Sequence, residues 1–98
     1  MLKIIGGSGF VGSRLIKLLG ENKCINLDKN KSLLYPDITT LGDIRKIEEI
    51  NIENNCKSII LLAAEHRDDV SPTSLYYDVN VQGTKNVLAA MDMAGVKD

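Results

Sequence analysis

The sequence predicts an α/β chain, a parallel sheet with helices on its faces, and three observations carry that prediction. Short, nearly continuous apolar runs occur at Leu2-Lys3-Ile4-Ile5, Cys24-Ile25-Asn26-Leu27 and Ser58-Ile59-Ile60-Leu61-Leu62-Ala63-Ala64. Such runs suit strands covered on both sides, because a parallel strand between two helical layers has no solvent face to mark with alternating polar residues. The stretches between them place apolar residues at helical spacing, and a glycine cluster, Gly6-Gly7-Ser8-Gly9-Phe10-Val11-Gly12, stands at the first strand-to-helix junction.

In chain order, the first strand ends at Ile5 and a helix is predicted over Phe10–Leu19. Its apolar positions are Phe10, Val11, Leu15, Leu18 and Leu19, and Gly20 is placed to end it. The second strand follows and closes at Asp28. Residues 29–35 read as a basic, exposed connection, and residues 37–41 as a short third strand. Ile44, Ile47 and Ile50, with Ile52 near the end, predict an amphipathic helix. The apolar run over 58–64 predicts a further buried strand, and the polar residues 65–71 a loop. Ser71-Pro72 predicts a helix start, serine as the cap and proline in the first turn, with the helix running to Met93 or Ala94 and stopping at Gly95. Strands alternating with helices are the pattern of a parallel sheet. Val96-Lys97-Asp98 reads as the opening of another strand. A βαβ unit takes roughly 30 residues, so the chain holds about half of a doubly wound domain and reads as truncated.

Bulk properties narrow the function. The 98 residues allow one domain. Apolar residues make up 44% and charged residues 26%, enough for a packed core rather than a disordered chain. A net charge of −1 gives no electrostatic pull toward nucleic acid or an anionic membrane, and three Tyr, one Phe and no Trp make a poor platform for stacking bases. The two cysteines lack a pairing or CxxC pattern, and a single histidine leaves a zinc site short of ligands. A reduced, cytoplasmic protein with no signal peptide or spanning segment is the expectation.

The glycine cluster fits two registers, Gly6-x-x-Gly9-x-x-Gly12 and Gly7-x-Gly9-x-x-Gly12. Both make the same demand: a strand turns sharply into a helix, and backbone approaches a diphosphate where a Cβ would block it. The helix N-terminus then presents unpaired N–H groups and the positive end of its dipole. The position after a strand, before a helix and at the chain start is the context that lifts a glycine pattern above a plain turn. A dinucleotide fold also needs a carboxylate at the end of the second strand, about 20 residues on. Asp28 lies 22 positions after Gly6 and 16 after Gly12. A carboxylate there accepts hydrogen bonds from ribose hydroxyls and repels a 2′-phosphate, so NAD is favoured over NADP. Lys29 and Lys31 are the nearby basic residues that a 2′-phosphate would need, and Lys29 joins Asp28 among the expected cofactor contacts.

These residues resemble the extended short-chain dehydrogenase/reductases, the NAD-dependent epimerase/dehydratase family. Gly6-x-x-Gly9-Phe10-Val11-Gly12 is similar to that family's signature. Gly42-Asp43-Ile44 resembles its adenine-binding turn, although Asp43 also suits a helix cap. Leu61-Leu62-Ala63-Ala64 resembles the strand end beside the cofactor. Asn80-Val81-Gln82-Gly83-Thr84 resembles its Asn-x-x-Gly-Thr helix, and Tyr76-Tyr77-Asp78 ahead of it is similar to UDP-glucose 4-epimerases. The resemblance implies a Rossmann-like sheet binding NAD through Gly6, Gly9, Phe10, Val11, Gly12, Asp28, Lys29, Asp43, Ile44, Ala63, Ala64 and Asn80, and a nucleotide-sugar substrate for the full-length protein. Gly83 inside a helix costs roughly 1 kcal/mol against alanine, which calls for a close approach there.

The resemblance also implies a catalytic Tyr-x-x-x-Lys pair. Tyr35, Tyr76 and Tyr77 are followed four residues on by Thr39, Asn80 and Val81, so no catalytic residue is assigned and the pair is expected beyond residue 98. The charged run Glu65-His66-Arg67-Asp68-Asp69 reads as a solvated loop, with Arg67 a lesser candidate for a phosphate contact. Two functions remain: the cofactor-binding part of a sugar-modifying oxidoreductase, or a non-catalytic NAD(P)-binding sensor or regulator of the same fold. A third possibility is a small domain that binds nothing. The open edge of the strand over 58–64 predicts self-association of the isolated segment.

Overall fold

The computed structural model describes residues 1–63 and 77–98. Four parallel strands, β1 (Leu2–Ile5), β2 (Cys24–Asp28), β3 (Thr39–Leu41) and β4 (Ser58–Leu61), form one sheet in the order β3-β2-β1-β4. The chain steps outward from β1 to β3, then returns to the other side of β1. Leu2 lies level with Cys24 on one side and with Ser58 on the other. The crevice between the carboxyl ends of β1 and β4 is therefore the topological switch point, where open α/β sheets take their ligands.

Helix α1 (Phe10–Leu19) covers one face, where Ile4, Ile16 and Cys24 form a buried cluster. Helix α2 (Thr84–Ala94) covers the other, with Ile5, Leu27, Ile44, Ile50, Val79, Val87 and Ala90 packed together. Both predicted glycine stops hold. Gly20 and Gly95 take positive φ of 96° and 75°, and Val96, buried just after Gly95, donates its N–H back to Met91. Gly95 is a left-handed αL ending, whereas Gly20, with ψ 125°, turns straight into extended backbone; both donate their N–H back into the helix they end. The two cysteines are free and buried, and burial pushes the Cys24 thiol up from its ordinary value.

Several expectations need correction. The stripe that α1 buries is Gly12, Leu15 and Ile16; Phe10, Val11 and Leu18 are 75%, 64% and 85% exposed. Phe10 and Val11 occupy the first turn, beyond the end of the sheet. The third strand is shorter than 37–41, because Pro36–Ile38 forms a 3-10 turn before it. No α-helix lies between β3 and β4. The spacing 44, 47, 50 is a period of three, and the backbone follows it: Lys46, Glu49 and Ile50 each donate to the residue three before, and only Ile47–Glu49 is helical, as a 3-10 turn. Side chains hold this shape, since Glu49 Oε1 accepts the Asp43 N–H and Asp43 Oδ1 accepts the Arg45 N–H, bonds that compete with an α-helical ladder.

Strand β4 is half-buried rather than buried, as befits the edge of the sheet. Asp98 accepts the Ile59 N–H at 2.7 Å, so the run from Val96 begins to lie along that edge. The helix predicted to open at Ser71-Pro72 starts outside the described residues. Where description resumes, Asp78–Gly83 is a wider π-helical turn that passes into α2. Lys3, in the middle of β1, is 1% exposed, its stem covered and its Nζ 2.8 Å from Glu53 Oε1.

Candidate dinucleotide site

A cleft of about 490 Å³ opens at the carboxyl end of the sheet, within the range of small-molecule and cofactor sites. Three turns build it. The first follows β1. Ile5 accepts N–H bonds from both Leu62 and Ala63, while Gly6, at φ +94°, turns back to donate to Leu27. A Cβ on Gly6 would lie 2.4 Å from the Ala63 nitrogen, and one on Gly12 would lie 2.4 Å from the Gly7 Cα. These two glycines are required by the protein's own backbone.

Gly9 is different. Its backbone is extended (φ −80°, ψ −174°), which any residue adopts, and no described atom lies within 4 Å of the place a Cβ would take. The other seven glycines each have either a positive φ or a neighbour in that place. Gly9 is the N-cap of α1, with no side chain capping the helix and no acidic residue in its first turn. Ser13 is the first to bond back, to the Gly9 carbonyl at 2.9 Å, so the N–H groups of Phe10, Val11 and Gly12 face out of the helix end toward the cleft they line.

The second turn follows β2. Asp28 Oδ2 accepts the Ser8 N–H at 2.9 Å and Oδ1 accepts the Asn30 N–H at 2.9 Å. The carboxylate thus ties the glycine turn to its own loop, and each oxygen keeps a lone pair for a hydroxyl. The third turn follows β3. Gly42 donates to Asp28 O, and Asp43 is gripped by Arg45 (Nη2 to Oδ2 2.6 Å, Nε to Oδ1 3.1 Å). Those hydrogen bonds, with the charges of Arg45 and Lys29, hold the Asp43 carboxyl below its usual range. Ile44 is buried beneath Gly83, where a Cβ would come within 2.6 Å of Ile44 Cδ1, and its carbonyl accepts Asn86 Nδ2 at 2.9 Å. That contact is the close approach the helical glycine called for.

Gly6, Gly9, Phe10, Val11, Gly12, Asp28, Lys29, Asp43, Ile44 and Ala63 all line the cleft. Asn80 does not; its neighbour Val79 does. Ala64 and Glu65 to Asp69 lie outside the described residues. Sequence reasoning missed Ile5, Leu27, Asn30 and Val79 as lining residues, and Asn26 beneath the turn. Asn26 carried a signal, an amide in the middle of an otherwise apolar strand. Among the described residues, no group of His, Cys, Asp and Glu is arranged to hold a metal, and no helix is long and apolar enough to cross a membrane.

A model of the NAD dependent epimerase/dehydratase family matches residues 2–98. The chain belongs to that family. It is 56% identical over 97 residues to the N-acetyl-alpha-D-glucosaminyl-diphospho-ditrans,octacis-undecaprenol 4-epimerase of Escherichia coli O157:H7, covering 97% of this chain and 29% of that protein. It is 33% identical to a UDP-glucose 4-epimerase of Klebsiella pneumoniae, over 97% of this chain and 82% of the relative. Among solved structures, a monomeric L-threonine 3-dehydrogenase from a metagenome superposes with a TM-score of 0.83 at 30% identity, covering 99% of this chain and 34% of that one. The UDP-glucose 4-epimerase of Thermus thermophilus, in complex with NAD, gives 0.78 at 24%, covering 98% and 35%, a likeness of fold. The chain thus spans about 29% of the Escherichia coli relative.

Proposed function

We propose that residues 1–98 are the NAD-binding, Rossmann-type part of a nucleotide-sugar epimerase/dehydratase-type oxidoreductase. Gly9 carries the reading. Neither conformation nor packing among the described residues asks for glycine there, and a polar cap would serve α1 better. A ligand that must touch backbone supplies the missing demand, and the uncapped helix end beside it suits a diphosphate. Asp28 supports ribose recognition and a preference for NAD over NADP, while Asp43 and Ile44 offer a polar and an apolar surface to the adenine. Bound nicotinamide supplies a hydride acceptor and donor. The residues of this chain bind and orient it; none is assigned a proton-transfer role.

The relative at 56% identity is named for a sugar linked through a diphosphate to undecaprenol. That identity favours a finer reading for the whole protein, an N-acetylhexosamine on a diphosphate carrier, polyprenol or nucleotide, as substrate.

The test is Gly9→Ala in the full-length protein. Because the backbone there is ordinary, and the poorer N-cap of alanine opposes its less flexible unfolded chain, the variant should unfold within about 1 kcal/mol of wild type. NAD affinity, by calorimetry, should fall by about tenfold or more as the methyl group meets the diphosphate. Wild type should also bind NAD more tightly than NADP. Equal NAD affinity in Gly9→Ala and wild type would sink the reading.

A further inference from the structure

We propose that Asn26 is a positioning residue that presets the glycine turn for the cofactor's diphosphate, an inference that rests on the dinucleotide-binding reading above. Asn26 is 0% exposed in the middle of β2 and does not line the cleft. A buried amide is costly unless bonded, and an aliphatic residue would fill a strand interior as well. Its bonds are therefore what distinguish it. Oδ1 accepts the Gly7 N–H at 2.8 Å, and Nδ2 donates to Ser8 Oγ at 3.2 Å and to Thr39 Oγ1 at 3.0 Å. The two hydroxyls pass the chain on, Ser8 Oγ to Asn30 O and Thr39 Oγ1 to Tyr35 O. One side chain thus fastens the glycine turn to the loop after β2 and to the approach to β3.

The fastening sorts the N–H groups of the turn. Gly7 gives its N–H to the buried Asn26 and Ser8 gives its N–H to Asp28 at the cleft wall, so both are taken by the protein. The N–H groups of Phe10 and Val11 are left to face the cleft. Gly7 also owes its identity to this contact: a Cβ there would lie 2.4 Å from Asn26 Oδ1, and Gly7 itself does not line the cleft. Asn26 and Gly7 therefore form one device beneath the turn, and the register Gly6-x-x-Gly9-x-x-Gly12 describes the ligand-facing side.

The experiment titrates the full-length protein with NAD, ADP-ribose and adenosine, the last lacking a diphosphate. Asn26→Ala and Gly7→Ala should each weaken NAD and ADP-ribose by about tenfold, and leave adenosine within about twofold. The double variant should lose about tenfold rather than about a hundredfold, because both changes remove one contact. Asn26→Leu, which fills the space without a polar atom, repeats the measurement in a packed background. Undiminished ADP-ribose binding in Asn26→Ala and Asn26→Leu, equal losses for adenosine and ADP-ribose, or multiplicative losses in the double variant would each overturn the inference while the cofactor reading stands. Wild-type protein that binds neither NAD nor ADP-ribose would overturn both.

Discussion

Two turns at the same end of the sheet, Gly6 to Gly12 after β1 and Gly42 to Lys46 after β3, differ in what crowds them, although the Asn26 and Asp28 side chains also fasten the first. In the first, the atoms that exclude a side chain are mostly backbone: Ala63 N against Gly6 and Gly7 Cα against Gly12. In the second, side chains do most of the holding. Asp43 is fixed by Arg45 and Glu49, Gly42 has Leu27 Cδ1 as well as Glu49 O at 2.8 Å, and Ile44 is wedged against Gly83 and bonded by Asn86. Backbone cannot step aside without breaking the sheet, whereas a side-chain end can rotate. The difference predicts a rigid turn after β1 and an adjustable turn after β3, the proposed diphosphate and adenine sides of the cleft.

The largest effect expected from this contrast is at Gly6. Gly6→Ala combines a positive φ of 94° with a Cβ 2.4 Å from the Ala63 nitrogen. Left-handed strain and overpacking together should cost about 3 kcal/mol or more. Urea unfolding would read it as a drop in midpoint at unchanged slope. A loss below about 1 kcal/mol would mean that β4 shifts easily past β1, and the rigid half of the comparison would fail.

The same contrast decides what is legible in the sequence. The glycine turn is legible because backbone geometry admits few solutions, and Gly-x-x-Gly-x-x-Gly between an apolar run and a helix names one of them. Asp28 follows from its distance along the chain. The segment after β3 reads as a helix because its isoleucines recur every three residues, close enough to a helical stripe to pass for one. What overrides the pattern is a set of side-chain to backbone bonds from Asp43 and Glu49, which depend on where two chain positions meet in space. Asn26 escapes a pattern reading for a related reason: its partners Gly7, Ser8 and Thr39 lie 13 to 19 residues away. The exposed lip of Phe10 and Val11 is legible through the family resemblance alone, because apolar spacing does not distinguish a buried stripe from a ligand surface.

A smaller effect should follow at Gly83. A methyl group there meets Ile44 Cδ1 at 2.6 Å and Cγ1 at 2.7 Å, side-chain atoms that a rotation of Ile44 can withdraw where backbone could not. Alanine also gains roughly 1 kcal/mol of helix propensity over glycine. Gly83→Ala should therefore change stability by no more than about 1 kcal/mol, in contrast to Gly6→Ala. Ile44 must rotate, and it lines the cleft, so adenosine affinity should fall a few-fold while the fold survives. Unfolding as severe as that of Gly6→Ala would show that the second turn is as unyielding as the first.

The smallest effect concerns the Asp43–Arg45 pair, and its sign is fixed by the direction of the shift. Hydrogen bonds from Arg45 lower the Asp43 carboxyl below its ordinary value of 3.8. The folded state thus releases that proton more readily than the unfolded chain. The pair's contribution is fully present above the ordinary carboxylate range and is lost as the pH falls through the lowered folded value. The Arg45 side chain is 38% exposed, so the contribution should be about 0.5 kcal/mol and should shrink with added salt. Asp43→Asn should be slightly less stable than wild type at neutral pH, and the gap should close in acid. A gap that persists at low pH and high salt would assign the pair's contribution to the bond that the Asp43 side chain accepts from the Arg45 backbone N–H, not to the charge on Arg45. The turn after β3 would then rest on local hydrogen-bond geometry rather than on charge, and the contrast between the two turns would narrow to which atoms do the locking.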